Sequence, residues 1–334
     1  MRAARIHAPG DIRHELAPDP VAAPGHVVVR VRAVSVCPSD WRLFADGHTA
    51  GALPRGPIIP GHEFAGDVIA LGEGVSAFRP GDRVAVDPTW PCGECDMCRE
   101  GQVHICRRIV FASFPPQDGA MAEMIACPAP RMQGIPPGVA YEEAALAEPL
   151  GVALHAVRMA PDLAGRRAVV LGAGLIGIGV LLAARARGAE VQMVEPVDDR
   201  RPYALAKGAL AVHESAAAAL AAGVEGHVVF ECSGSAEGMD DALRLCRPSG
   251  AVVVVGIPRD DRVTFDISTA RRREITVAFS RRSRDTLSSC LSMMATGELN
   301  LTDMPRWRFP LERAQAAMTL TATVGRSLRA YVLP

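Results

Sequence analysis

From Val27 to Val36 the chain reads Val-Val-Val-Arg-Val-Arg-Ala-Val-Ser-Val. Its β-branched residues and its alternation of apolar with polar positions predict a strand. Residues 63–71 and 82–86 continue as short strands separated by Gly and Pro, so roughly the first 140 residues read as mostly β with many loops. From Tyr141 the pattern changes. Ala-rich helical segments alternate with apolar strands at 168–171, 190–194, 227–231 and 251–255, which predicts β-α-β units and a parallel sheet. After about Ser280 the run Ser-Arg-Arg-Ser-Arg-Asp breaks this repeat. Helices near 285–296 and 311–321 and a last strand at 328–333 do not extend it, so the final segment is expected to return to the first domain. No internal repeat of 20 to 50 residues is present.

One apolar stretch needs separate treatment. Residues 168–184 are uncharged for 17 positions, near the length of a membrane span, but they hold four glycines. Ala-Val-Val-Leu reads as a buried strand, Gly-Ala-Gly as a turn, and Leu175 onward as a helix, so a membrane helix is not expected. The first ten residues carry charge and no apolar segment of the kind a secretory signal needs, so a cytoplasmic protein is expected.

Composition narrows the picture further. At 334 residues the chain is long enough for about two domains, and 49% hydrophobic against 22% charged residues fits packed cores and excludes disorder. The 36 basic and 37 acidic residues leave a formal charge of −1, so neither nucleic acid nor a membrane surface is an expected partner, and a small molecule is. Lys207 is the single lysine, on what reads as a helix surface, which leaves almost no room for lysine-dependent chemistry. Nine cysteines in a reducing compartment do not suggest a disulfide framework.

Gly172-Ala-Gly174-Leu175-Ile176-Gly177 lies between a predicted strand and a predicted helix. The first glycine allows a tight turn, the second lets backbone approach a pyrophosphate, and the third lets the helix pack on the sheet. The next strand ends at Glu195, 18 residues beyond Gly177, where a carboxylate can accept hydrogen bonds from ribose hydroxyls. Strand, turn, helix and acid in that order point to NAD. Arg200 and Arg201 follow closely and could in principle hold a 2′-phosphate.

Two groups of residues have the chemistry of metal ligands. Cys92, Cys95, Cys98 and Cys106 follow Cys-x2-Cys-x2-Cys-x7-Cys spacing and supply four thiolates from one loop, enough to close a tetrahedral zinc site with no open position. A redox cysteine pair and an iron–sulfur cluster are the alternatives. The second group is dispersed: Cys37 in Val-Cys-Pro-Ser-Asp, His62 and Glu63 in Gly-His-Glu-Phe, and Glu148 in Ala-Glu-Pro-Leu. Each has a bland explanation as a core cysteine, a turn histidine or a helix-start carboxylate.

Together these segments resemble a known family. Cys37-x-Ser39-Asp40, Gly-His62-Glu63, Pro-Gly-Asp-Arg-Val at 80–84, the four-cysteine loop, Glu-Pro-Leu at 148–150 and the glycine-rich turn are similar in order to the zinc-dependent medium-chain alcohol dehydrogenases. The runs 111–119, 147–150 and 308–312 most resemble the sorbitol, xylitol and related polyol dehydrogenases. The resemblance implies an α/β chain with a GroES-like β-rich catalytic domain at 1–150 and 281–334, carrying the structural zinc loop 92–106, and a Rossmann doubly wound parallel-sheet domain at 151–280. It implies two zinc ions per chain, NAD, and a homodimer or homotetramer. It further implies that Cys37 and His62 bind a catalytic zinc with Glu63 or Glu148, that Asp40 orients His62, and that Ser39 begins a proton relay. Arg200 is placed near the adenine side and Arg329 near the pyrophosphate.

The chain also departs from that pattern. Arg42 stands where relatives often have a relay histidine, and arginine stays protonated, so the proton must leave by another route. Ser280-Arg281-Arg282 stands where polyol dehydrogenases have Phe-Arg-Tyr, and with Phe114 this implies a pocket altered from that for sorbitol. Arg42 and Arg282 would favour a substrate with an acidic or heavily hydroxylated end. The reading is hydride transfer from a secondary alcohol of a polyol, cyclitol or sugar derivative to NAD. The alternatives are an NADPH-dependent ketone reductase on the same scaffold and a catalytically silent nucleotide-binding zinc protein.

Overall fold

The computed structural model describes residues 1–48, 56–260, 262–322 and 329–334. The chain forms two compact units, Met1–Glu148 with Leu287–Pro334, and Pro149–Thr286.

The first unit is built on a seven-stranded sheet. Its long strand is His26–Ser35, in which Val27, Val28 and Val29 are all buried while Arg30 and Arg32 point outward. A run of three buried valines is expected where both faces of a strand are covered. This strand pairs antiparallel with Glu63–Leu71 and Met124–Pro128, and at its C-terminal end with Arg329–Leu333. Arg306–Pro310 adds parallel to that last strand. The expected return of the chain to its first domain therefore occurs as strand addition. Leu328 and the residues just before it lie outside the described residues, so only Arg329–Leu333 of the expected last strand is seen. The core gathers Val29, Val31 and Val34 with Phe64, Val84, Met121 and Val332.

The register of this sheet positions the residues of interest. Ser35 lies opposite both Glu63 and Tyr331. Cys37 follows Ser35 by two residues, His62 precedes Glu63 by one, and Arg329 precedes Tyr331 by two, so side chains far apart in sequence meet at one end of three adjacent strands. The Pro38–Asp46 helix begins at the same place, with Cys37 as its N-cap in extended conformation and Pro38 at its first position. Proline is favoured there because its missing N–H would have no intrahelical partner.

The second unit is a six-stranded sheet, parallel throughout, in the order Val212–His213, Glu190–Val194, Arg167–Leu171, Gly226–Glu231, Cys246–Val254, Thr276–Phe279. The four strands read from the sequence are its centre, and Val212–His213 and Thr276–Phe279 extend it by one strand on each side. The apolar run 168–184 divides as expected between the Arg167–Leu171 strand and the Leu175–Ala186 helix. No helix among the described residues is long and apolar enough to cross a membrane. The unit ends at Thr286 rather than Ser280, because the polar run packs inward: Ser283 and Thr286 are buried, a Cβ on Gly151 would lie 2.6 Å from Thr286 Oγ1, and Arg158 donates to the Asp285 carbonyl.

Candidate active site

Cys37 Sγ, a ring nitrogen of His62 and a Glu63 carboxylate oxygen all lie within 4.8 Å of one another. His62 is 6% exposed and Glu63 1%. Neighbouring groups hold each in place. Asp40, 2% exposed, accepts the backbone N–H of Cys37 and of Gly61 at 3.0 Å each, and its Oδ1 is 3.3 Å from His62 Nδ1. His62 Nδ1 is also 3.0 Å from Ser113 Oγ, and the ring packs at 54° against Phe111. With Nδ1 occupied on that side, Nε2 is the nitrogen left to face Cys37 and Glu63.

Glu63 Oε1 accepts from Arg329 Nη2 at 3.0 Å, and Arg329 Nη1 donates to the Val36 carbonyl at 2.7 Å. The sequence reading did not anticipate this contact: the strand register turns the Arg329 guanidinium inward onto Glu63. Glu63 Oε2 is buried with no hydrogen-bond partner. A buried carboxylate oxygen left bare is costly unless a cation or donor meets it, and the carboxylate that carries it lies within 4.8 Å of a thiol and an imidazole. That donor set fits a borderline-soft metal such as zinc.

The electrostatics agree. Burial opposes ionisation of Asp40, yet His62 and the Gly61 and Cys37 amides outweigh it and hold the carboxyl below its ordinary value. Burial likewise opposes charge on His62, but Asp40 and Cys37 raise it well above its ordinary value. Glu148, second residue of the Ala147–Met159 helix, stands outside the close trio. Burial, opposed by His62 and reinforced by Glu63 and Asp87, pushes it up to about 8. The pocket collects more carboxylate and thiol than cation, an arrangement that favours added positive charge.

Ser39 occupies the first turn of the Pro38–Asp46 helix and Arg42 follows one turn later, so the two share a face. Arg281 and Arg282 belong to the second unit, Arg282 in the left-handed region at φ 53°. The sequence reading did not anticipate Ser113 or Phe111 beside His62, or the influence of Asp87 on Glu148. Phe111 and Ser113 lie in the Phe-Ala-Ser-Phe run that had marked the resemblance to polyol dehydrogenases, which was the available signal.

The four-cysteine loop closes as its spacing predicts. Sulfur separations are 4.0 Å for Cys92 to Cys98, 3.5 Å for Cys95 to Cys98, 3.8 Å for Cys95 to Cys106 and 3.5 Å for Cys106 to Cys92. A tetrahedral zinc with Zn–S bonds of ~2.3 Å sets its sulfurs ~3.8 Å apart, so these residues fit the ion. All nine cysteines are free thiols. The Glu94 backbone N–H leads in drawing Cys92 down to about 6. The Arg108 backbone N–H and guanidinium also point at sulfurs of the cluster.

In the second unit, Gly172 has φ 92°, where a side chain would be strained, and a Cβ on Gly177 would lie 1.8 Å from the Gly172 carbonyl oxygen. Only glycine fits either position. Gly174 caps the Leu175–Ala186 helix, whose first amides, at Leu175, Ile176 and Gly177, face the turn as an anion-binding end. Glu195, 2% exposed, accepts the Ala173 N–H at 2.6 Å and the Val197 N–H at 2.8 Å, so it sits beside the glycine turn as the motif requires. Arg200 leans toward it, Nη1 3.8 Å from Oε2. Arg201 donates to the carbonyls of Glu195 and Pro196 and pairs with Asp198.

Comparison with known proteins places the chain in a family. Residues 23–137 match the alcohol dehydrogenase GroES-like domain, and residues 176–296 match the zinc-binding dehydrogenase domain. Sorbitol dehydrogenase of Macaca fascicularis is 32% identical over 322 residues, covering 93% of this chain and 90% of that one. L-idonate 5-dehydrogenase of Vitis vinifera is 32% identical, covering 93% and 88%. The crystal structure of a Sinorhizobium meliloti protein bound to NADP superposes with a TM-score of 0.91 at 28% identity, covering 100% of this chain and 99% of that one. On the two domains, and on similarity along nearly its whole length, the chain belongs to the zinc-dependent medium-chain dehydrogenases, among the polyol-dehydrogenase-like members.

Proposed function

We propose that the protein oxidises a secondary alcohol of a polyol or sugar derivative, passing hydride to NAD, with one catalytic and one structural zinc per chain. The observation that carries this reading is the buried trio of Cys37, His62 and Glu63, completed by a carboxylate oxygen of Glu63 that no protein donor meets. Sorbitol and L-idonate dehydrogenases among the relatives support the substrate class.

Zinc held there supplies Lewis acidity that makes a bound alcohol more acidic, and the nicotinamide supplies the hydride acceptor. The chain's own residues do the rest. Asp40 and Ser113 fix the His62 ring and its tautomer. Arg329 holds Glu63 by one oxygen and leaves the other for the metal. Ser39 accepts the substrate hydroxyl proton and hands it to water, since Arg42 cannot act as a base. Glu148 backs the cluster as a carboxylate outside the direct ligand set, so the metal ligands assigned are Cys37, His62 and Glu63. Cys92, Cys95, Cys98 and Cys106 hold the structural ion.

NAD is assigned over NADP on the buried Glu195 carboxylate, which would repel a 2′-phosphate. Arg201, already engaged by two carbonyls and Asp198, is poorly placed to compensate. An acidic or densely hydroxylated substrate end is assigned to Arg42 and Arg282. The test is metal content per chain together with NAD reduction over a panel of polyols and sugar acids, for wild type and Cys37→Ala. Two zincs falling to one with loss of turnover is the expected result. A single zinc unaffected by the substitution would overturn the two-site assignment and favour a nucleotide-binding zinc protein without turnover.

A further inference from the structure

The nucleotide-binding turn lies at the C-terminal ends of the parallel strands in the second unit. At the opposite, N-terminal ends the same sheet carries a second concavity of about 220 Å³. It is lined by Arg166 just before the Arg167–Leu171 strand, His227 at the start of Gly226–Glu231, Arg247 and Ser249 in Cys246–Val254, and Thr276 opening the outermost strand, with Met159 as an apolar wall. A five-residue strand spans ~16 Å, so this pocket is separate from the glycine-rich turn. Its volume is below the ~300 Å³ at which drug-sized ligand sites begin, which limits the occupant to a small molecule.

The lining is cationic and not neutralised. Neither Arg166 nor Arg247 has a carboxylate partner among the described residues, and Arg247 Nε is buried with no hydrogen-bond acceptor. Glu225, a nearby carboxylate, pairs at 3.8 Å with Arg273 and with neither pocket arginine. His227 Nδ1 accepts the Arg167 backbone N–H, so the neutral ring carries its proton on Nε2 and is a donor there. Burial first, then Arg247, Arg167 and Arg166, hold this imidazole below its ordinary value. Ser249 and Thr276 add hydroxyls at the exposed rim.

Guanidinium, imidazole and hydroxyl donors converging on a small pocket match an acceptor-rich tetrahedral group better than a planar carboxylate. We propose that this pocket is a second ligand site, distinct from the nucleotide site, that binds a phosphoryl dianion carried by free phosphate or by a small phosphate ester. Nothing in the dehydrogenase chemistry uses these residues.

The test is calorimetric titration of the zinc-loaded protein, with NADH saturating so that the dinucleotide site is filled. Inorganic phosphate and glycerol phosphate are the titrants, and potassium chloride at matched ionic strength is the control. Saturable binding of either phosphate, absent with chloride, is expected. Arg247→Ala is expected to weaken it about tenfold or more, the scale of losing a charge-assisted hydrogen bond. Should Arg247→Ala fail to fold, Ser249→Asp decides. Ser249 is exposed at φ 56°, a backbone conformation aspartate tolerates, and the new carboxylate would repel the dianion. Tighter binding of the ester assigns the site to esters, and tighter binding of inorganic phosphate assigns it to the free ion. No saturable heat, heat matched by chloride, or full affinity retained in Ser249→Asp would overturn the proposal.

Discussion

Ser113 is held at φ 67°, where a non-glycine residue costs on the order of 1–3 kcal/mol, and its hydroxyl is what that conformation delivers to His62 Nδ1. Ser113→Ala keeps the backbone problem and removes the hydroxyl, leaving Asp40 at 3.3 Å as the ring's one side-chain acceptor there. Outer partners of metal-bound histidines typically contribute ~10–100-fold in metal affinity or activity. We expect a loss in that range, read as faster zinc release to a chelator, with the four-cysteine zinc retained; equal release from both sites would refute it. Glu195 is the corresponding residue in the second unit, because its two oxygens brace the Ala173 and Val197 amides beside the glycine-rich turn. Glu195→Ala is expected to raise KM for NAD about tenfold or more, on the loss of charged hydrogen bonds. The ratio of kcat/KM for NADP over NAD should rise with it. An unchanged ratio would show that the carboxylate does not set cofactor choice. At this scale the sequence was informative about which of these residues come together and poor about their neighbours. Cys37, His62 and Glu63 sit in recognisable short motifs, whereas Ser113 and Phe111 approach His62 only through folding, and the Arg329 contact depends on strand register.

Among elements, the Tyr141–Ala145 helix and the Arg306–Pro310 strand are joined by charge rather than by apolar packing alone. Arg306 reaches Glu142 and Glu143 at 3.1 Å each, and Arg308 closes on Glu142 with two more contacts. Burial alone would raise the Glu142 carboxyl, but Arg308 and Arg306 outweigh it and hold it below its ordinary value. A carboxylate lowered by folding stabilises the native state above its unfolded pKa, and that stability is lost as pH falls through the folded value. Glu142→Gln is therefore expected to lower Tm at neutral pH, with the difference from wild type shrinking below about pH 4, near the ordinary glutamate value. A gap that stays constant down to acid pH would mean that charge is not what joins these elements. The longer apolar strands were legible from the sequence because their hydrophobic runs decide them: residues 63–71 and 190–194 coincide with observed strands. Nine of the described strands were not individually read from the sequence, among them Arg2–Ala8, Met124–Pro128 and the three that follow. Val212–His213 is too short to show a period, Thr276–Phe279 is half-exposed at the sheet edge, and Arg306–Pro310 alternates arginine with aromatic residues.

For the whole molecule, the outermost strand Thr276–Phe279 pairs only with Cys246–Val254 among the described residues, and Phe279 on it is 70% exposed, with Ile257 and Ile267 also exposed. An open edge carrying large apolar side chains is a template for another chain. A homo-oligomer built on this edge is expected. Light scattering should give a multiple of 35.3 kDa for wild type and a smaller species for Phe279→Asp; a monomeric wild type would remove this expectation. The two-part organisation was readable from the change of pattern at Tyr141, but the exact point of return was not, because a polar run such as 280–285 looks the same whether it links units or packs on one. The pairing of Ser35 with both Glu63 and Tyr331 also orders events in time. As the polypeptide is made, Cys37, His62 and Glu63 precede the Pro149–Thr286 unit, and Arg329, the counter-charge that steadies Glu63, follows it, 266 residues after Glu63. The trio therefore gains that counter-charge only once the whole intervening unit has been made, whereas the four-cysteine loop has all its thiols together as soon as Cys106 appears.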